Sequence, residues 1–272
     1  MKPELKKRVI TGAIGGALLL GMTLGLGEIG TAFFVIGLSL LMTHEFLEMV
    51  LALPDRMDKR NVILGTVFLL GLASVILPGL QVGLLLMAAL GLFFYFLLTA
   101  YRHPDGLENH LREGVYSIFG LLYLAVLPLY ILLIRQEEAG GFWLLLFFLM
   151  NWVGDSAAYF VGLKRGRQKL YPLISPKKTW EGAWGGLAGA YCVTLLFKLV
   201  VFREISWLFV FVGPLLVGVT GQLGDLGESL IKRSFQKKDS GTILPGHGGF
   251  MDRFDGVVIS APFMYYCVRL LG

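Results

Sequence analysis

The residues best placed to do chemistry lie near the C-terminus. Pro245, Gly246, His247, Gly248 and Gly249 form a turn with three glycines around one histidine, just ahead of a helical pattern. Backbone N–H groups in such a turn, together with the positive end of the following helix, suit a phosphate. Yet Asp252 and Asp255 occupy the same place, at i and i+3 on one helix face. Carboxylates and phosphates repel each other unless a cation lies between them, and an oxygen-rich set of this kind suits Mg²⁺. Asp225 and Glu228 repeat the spacing at the end of the preceding apolar run, so that Asp225 can face Asp252 across a metal. The plainer alternative is that Asp252 and Asp255 favour the helix dipole and that Asp225 pairs with Lys232 or Arg233.

A second polar stretch runs from Ser175 to Gly182. Ser175 at an N-cap with Pro176 at the first helical position predicts a helix start. Lys177 and Lys178 then fall in the first turn, where the dipole disfavours cations, a placement that makes sense if they hold an anion. Ordinary loop charge is the alternative. Asn151 and Asp155 interrupt an apolar run at a depth where an ionised group needs a polar cavity or a partner. His44, Glu45 and Glu48 form a weaker cluster, read either as site or as packing contacts, and His103 and His110, without ligand-like spacing, read as solvated. Cys192 and Cys267 lie inside apolar runs and support neither a disulfide framework nor a metal site.

The elements that must position these residues follow from composition. Of 272 residues 56% are hydrophobic and 16% charged, and the mean hydropathy is +0.71. Soluble domains average about 45–50% apolar and about 25% charged, so disorder, a coiled coil and a secreted disulfide scaffold are excluded. The 36 glycines have no period, which fits close helix approach in a membrane. Nine apolar runs emerge, at 9–26, 31–51, 62–77, 82–101, 115–134, 142–163, 183–201, 207–226 and 256–270. The first is long for a signal peptide and no cleavage pattern follows it, so it reads as a retained span.

The fold class is therefore all-α, a polytopic integral membrane protein of about nine transmembrane helices. With the N-terminus cytoplasmic, all of the 24 Lys and Arg residues except Arg135, Arg203, Lys198 and Arg269 fall in inside segments. Residues 1–101 form an N-terminal set of four spans and residues 102–272 a catalytic region of five, with cytoplasmic loops at 164–182 and 228–255. The chemistry must be built from helix ends and those two loops. An inverted repeat, as in many transporters, is not evident.

The stretch Ser229–Asp255, with its Ser-x-x-Lys-Arg, Lys-Asp and His-Gly-Gly-x-x-Asp-Arg-x-Asp elements, resembles the signature of the phosphatidate cytidylyltransferase (CDP-diacylglycerol synthase) family. The Asp155 region and Ser175–Gly182 resemble it too, whereas the first four spans match in hydropathy only. The resemblance implies an enzyme of phospholipid synthesis that joins CTP and phosphatidic acid to give CDP-diacylglycerol and pyrophosphate with Mg²⁺, and a second cation is compatible with it. It implies Asp225, Asp252 and Asp255 as metal ligands, with Asp155 or Glu228 behind them. Lys232, Arg233 and Arg253 would neutralise phosphate oxygens, Lys177 and Lys178 the CTP tail, and His247 would bond the leaving pyrophosphate or fix the turn. Ser175, Thr179, Ser229, Lys238, Asp239, Gly248 and Gly249 complete the expected substrate contacts. Membrane lipid is an expected partner and nucleic acid is not, and a homodimer is compatible. The location implied is the cytoplasmic membrane of a bacterium with the site facing the cytoplasm. A CTP-dependent enzyme on another lipid phosphate, a lipid kinase and, last, a transporter stay open as alternatives.

Overall fold

In the computed structural model, residues 15–51, 56–77, 79–244 and 248–272 are described. They form α1 (Gly15–Gly25), α2 (Gly27–Val50), α3 (Arg56–Ile76), α4 (Gln81–Arg102), α5 (Leu107–Gln136), α6 (Gly140–Arg165), β1 (Lys169–Tyr171), β2 (Ser175–Thr179), α7 (Trp180–Val200), α8 (Trp207–Ser234) and α9 (Met251–Leu271). All but α1 among these helices are long and apolar enough to cross a membrane, and the nine match the nine apolar runs in order. The basic segment Lys2–Arg8 and the start of the first run lie outside the described residues. The chain is an all-α polytopic membrane protein: Leu86, Met87 and Leu98 on α4, Leu69 on α3 and Phe211 on α8 point outward, as lipid-facing residues do.

The interior is aromatic and aliphatic. Phe46 and Met42 of α2, Ile131 of α5, Phe147 and Phe148 of α6 and Phe209 of α8 are fully buried. α6 runs along α7 and α8 along α9, with α9 also packed on α5 and α5 on α2. Small residues set the closest crossings. A Cβ on Gly224 would lie 2.8 Å from the Asp255 carbonyl, and one on Gly256 3.0 Å from the Gly221 carbonyl, so α8 and α9 touch backbone to backbone beside Asp225 and Asp255.

Two local features depart from the sequence reading. Ser175 does not open a helix: Ser175–Thr179 is a strand paired antiparallel with Lys169–Tyr171, in register Lys169 with Thr179 and Tyr171 with Ser175. Thr179 is the true N-cap, its hydroxyl accepting from Gly182 N at 3.1 Å, so Lys177 and Lys178 sit on a hairpin and not in a first helical turn. His110, read as solvated, is only 3% exposed, its ring stacked on His103 with Nε2 2.8 Å from the Phe96 carbonyl.

α5 carries a π-helical turn, Leu121–Val126, just ahead of Pro128, which has no N–H to give the Leu124 carbonyl. α8 is capped by Ser206, whose hydroxyl accepts from Phe209 N at 3.0 Å, and ends at Gln236, which takes positive φ.

Candidate active site

Both charged loops meet at one end of the bundle. Lys178 on β2 reaches α8, its Nζ 2.6 Å from Asp225 Oδ2, and the α8–α9 loop lies against the end of α2. Asp225 therefore does not pair with Lys232 or Arg233. Lys232 instead sits between two buried acids, 2.5 Å from Glu228 Oε2 and 2.5 Å from Asp252 Oδ1. Arg233 is exposed and donates to the Lys237 carbonyl at the end of α8.

The Gly-rich turn is occupied from within. Asp252 Oδ2 accepts from Gly249 N at 2.8 Å and Ser240 N at 3.0 Å, reaching back over the start of α9 as a capping-box acid does. The next two N–H groups, of Phe250 and Met251, donate to Glu45 of α2, each at 2.9 Å. Gly248 has φ +81, and a Cβ there would lie 2.5 Å from Asp252 Oδ2; one on Gly249 would lie 2.3 Å from Glu45 Oε2. These glycines thus let two carboxylates of the protein itself reach the backbone. Gly249, expected to offer its N–H to a phosphate, instead gives it to Asp252, and the two N–H groups that follow are held by Glu45. Pro245, Gly246 and His247 lie outside the described residues.

A second group of acids is less committed. Asp225 sits on α8, Asp155 on α6 and Asp255 on α9, and each acts electrostatically on the others. Asp255 accepts from its own neighbour, Gly256 N, at 2.8 Å. Lys178 and Arg253 provide the opposing charge near Asp155. Asp155, Asn151, Gly186 and Gln222 line a cleft between α6, α7 and α8, the polar surround that an acid at this depth requires. Among the described residues the buried Glu228 Oε1 and Tyr123 hydroxyl have no hydrogen-bond partner, and Tyr123 lies within the fields of Asp255, Glu228 and Asp225.

Five carboxylates (Asp155, Asp225, Glu228, Asp252, Asp255) against Lys178, Lys232 and Arg253 leave a formal excess of two negative charges. The donor set is oxygen-only, which fits a hard divalent cation. Among the described residues no three such side chains stand close enough to close around an ion as they are.

The sequence as a whole decides the family. A sequence model of the Cytidylyltransferase family matches residues 6–271. Proteins named phosphatidate cytidylyltransferase are similar along most or nearly all of the length: that of Bacillus subtilis is 31% identical, covering 99% of this chain and 99% of its own. That of Brucella suis is 35% identical over 96% and 92%, and that of Staphylococcus saprophyticus 34% over 83% and 88%. The chain belongs to the cytidylyltransferase family.

In this cytidylyltransferase the other expected contacts take different places. Ser229 Oγ is 3.5 Å from Asp225 Oδ1, at the edge of hydrogen bonding. Lys177, Lys238, Asp239 and Arg253 are exposed around the acids and the loop. Thr179 is buried and used as a cap, and Glu181 accepts from Arg167 N and Gln168 N, closing the base of the hairpin. Sequence reasoning read Glu45 either as site or as a packing contact, and passed over Tyr123. Glu45 stood in a recognised polar cluster, whereas the only sign of Tyr123 was a hydroxyl in an apolar run near Pro128.

Proposed function

We propose that this cytidylyltransferase moves the cytidylyl group of CTP onto phosphatidic acid, forming CDP-diacylglycerol and pyrophosphate. The observation that carries the reading is the meeting of a basic hairpin with the Asp155, Asp225 and Asp255 carboxylates at one end of a membrane bundle, in a chain similar over nearly its full length to proteins of that name. The attacking group is a phosphate monoester, largely ionised near neutral pH because its second pKa is about 6, so no protein nucleophile is needed. Positioning and charge neutralisation then suffice, as in other phosphoryl chemistry.

Lys177 and Lys178 meet the triphosphate, and Lys178 trades its bond to Asp225 for one to phosphate. Arg253, beside Asp155, faces the lipid phosphate. Asp225 and Asp255, with Asp155 behind them, would hold Mg²⁺, which when bound neutralises phosphate charge and polarises the reacting phosphorus. Asp252 and Lys232, bonded to each other, order the turn that carries Arg253 and Asp255. CTP is a cytosolic metabolite, so the loop-bearing end faces the cytoplasm, in keeping with the distribution of Lys and Arg.

The test is CTP labelled separately at the α and γ phosphorus, given to purified protein with phosphatidic acid. The α label should enter the lipid and the γ label leave as pyrophosphate; γ label in the lipid would overturn the reading in favour of a kinase. Sidedness is read from Lys238→Cys in a background with Cys192 and Cys267 replaced. An impermeant thiol reagent should label it only from the cytoplasmic face, and labelling from outside would overturn that orientation. Ser240, buried against Glu45, is unsuited to such labelling.

A further inference from the structure

We infer that Glu45, on the second helix and 195 to 206 residues away from its partners, is a positioning residue for the cytidylyl transfer proposed above, a reading on which this inference rests. Its carboxylate is 2% exposed and accepts three hydrogen bonds, from Ser240 Oγ at 3.0 Å, Phe250 N at 2.9 Å and Met251 N at 2.9 Å. No lysine or arginine lies in salt-bridge range of it among the described residues, so its charge is balanced by those donors and by the positive end of α9.

The placement is specific. Glu45 holds the first residues of α9, and Asp252, Arg253 and Asp255 follow within the next turn. Ser240, the third donor, also gives its N–H to Asp252, so the two acids grip one loop from opposite sides. Gly241 and Gly249 are both packed on the Glu45 carboxyl, with ideal Cβ positions 2.8 Å and 2.3 Å from its oxygens. One helical turn on, the Glu48 carbonyl accepts from Lys237 Nζ at 3.1 Å. The end of α2 is therefore the fixed surface against which the α8–α9 loop is set, which gives the N-terminal helices a part in catalysis. A misplacement of about 1 Å at a site of this kind can cost on the order of 100-fold in rate.

The experiment compares full-length wild type, Glu45→Gln and Glu45→Asp in detergent, reading kcat, both KM values and the melting temperature. Glu45→Gln keeps the shape but turns an amide N–H₂ toward backbone donors. It should lower kcat about 30-fold or more in folded protein, with the KM for CTP within about threefold of wild type, because the lysines that meet CTP lie on the hairpin and not on α9. Glu45→Asp, which restores the charge, should recover part of that kcat. Wild-type kcat in a folded Glu45→Gln would overturn the inference, as would a kcat loss that Glu45→Asp does not relieve. If Glu45→Gln does not fold, Ser240→Ala removes one donor alone: a several-fold fall in kcat at unchanged melting temperature supports positioning, and an unchanged kcat overturns it. A wild type that leaves no CMP on the lipid would instead defeat the cytidylyl reading itself.

Discussion

The hairpin between α6 and α7 turns Lys177 to solvent and holds Lys178 against a half-exposed Asp225, whereas the loop between α8 and α9 folds Asp252 and Glu45 inward onto its own backbone. The first arrangement leaves charge to exchange with a ligand. The second spends its donors on shape, so that a motif rich in Gly, Lys and Asp acts mainly as a scaffold for the few groups that remain outside it. Residues of one type in one stretch thus divide by what already binds them: Asp225 meets Lys178 of the hairpin and Asp255 its neighbour Gly256 N, while Asp252 is enclosed by Lys232, Gly249 and Ser240.

The largest effects should separate those two kinds of acid. Asp225→Asn and Asp255→Asn are each expected to lower kcat by about 1,000-fold or more, since preorganised charge at a reacting phosphate is the main catalytic device, while the melting temperature in detergent stays near wild type. Substantial activity in either variant would remove it from the site. Asp252→Ala should lose activity and stability together, because it leaves the buried Lys232 with one acid and strips the acceptor from two N–H groups. Breaking a buried pair costs about 3–5 kcal/mol, so the melting temperature should fall, and a stable, inactive Asp252→Ala would move that residue into the ligand-binding group.

The hairpin should respond differently. Hydrogen bonds to charged groups contribute about 1.5–3 kcal/mol each, so replacing Lys177 and Lys178 by Gln should raise the KM for CTP at least about tenfold and that for the lipid far less. An equal rise in both would reduce the lysines to general surface charge. The smallest effect belongs to Thr179→Ala: as a cap its hydroxyl contributes about 1 kcal/mol of stability, and the KM for CTP should not move. A rise confined to CTP would show that the hydroxyl meets the nucleotide instead.

The helices were legible because a lipid-facing helix must be apolar for its whole length, and the eight long helices each overlap one expected run, although α5 begins at Leu107 and α8 runs on to Ser234, beyond the apolar stretches. The start of α7 was misread because Ser175-Pro176 serves a helix N-terminus and an edge strand alike; Pro is tolerated on a two-stranded hairpin, and the cap lies four residues on, at Thr179. The reactive end was legible as a concentration of carboxylates and cations. Which acid meets which partner was not, because the deciding contacts are long-range: Lys178 to Asp225, and Glu45 to Ser240, Phe250 and Met251. No local pattern announces that a turn's N–H groups are filled by a side chain from another helix.

The division between open and enclosed acids is tested most directly by metal binding itself. Mn²⁺, as a spectroscopic substitute for Mg²⁺, is titrated into folded full-length protein with CTP present and followed by electron paramagnetic resonance in wild type, Asp225→Asn, Asp255→Asn and Asp252→Asn. The account predicts that Asp225→Asn and Asp255→Asn lose the protein-dependent Mn²⁺ signal and that Asp252→Asn keeps it. Loss of the signal in Asp252→Asn with retention in Asp225→Asn would contradict it.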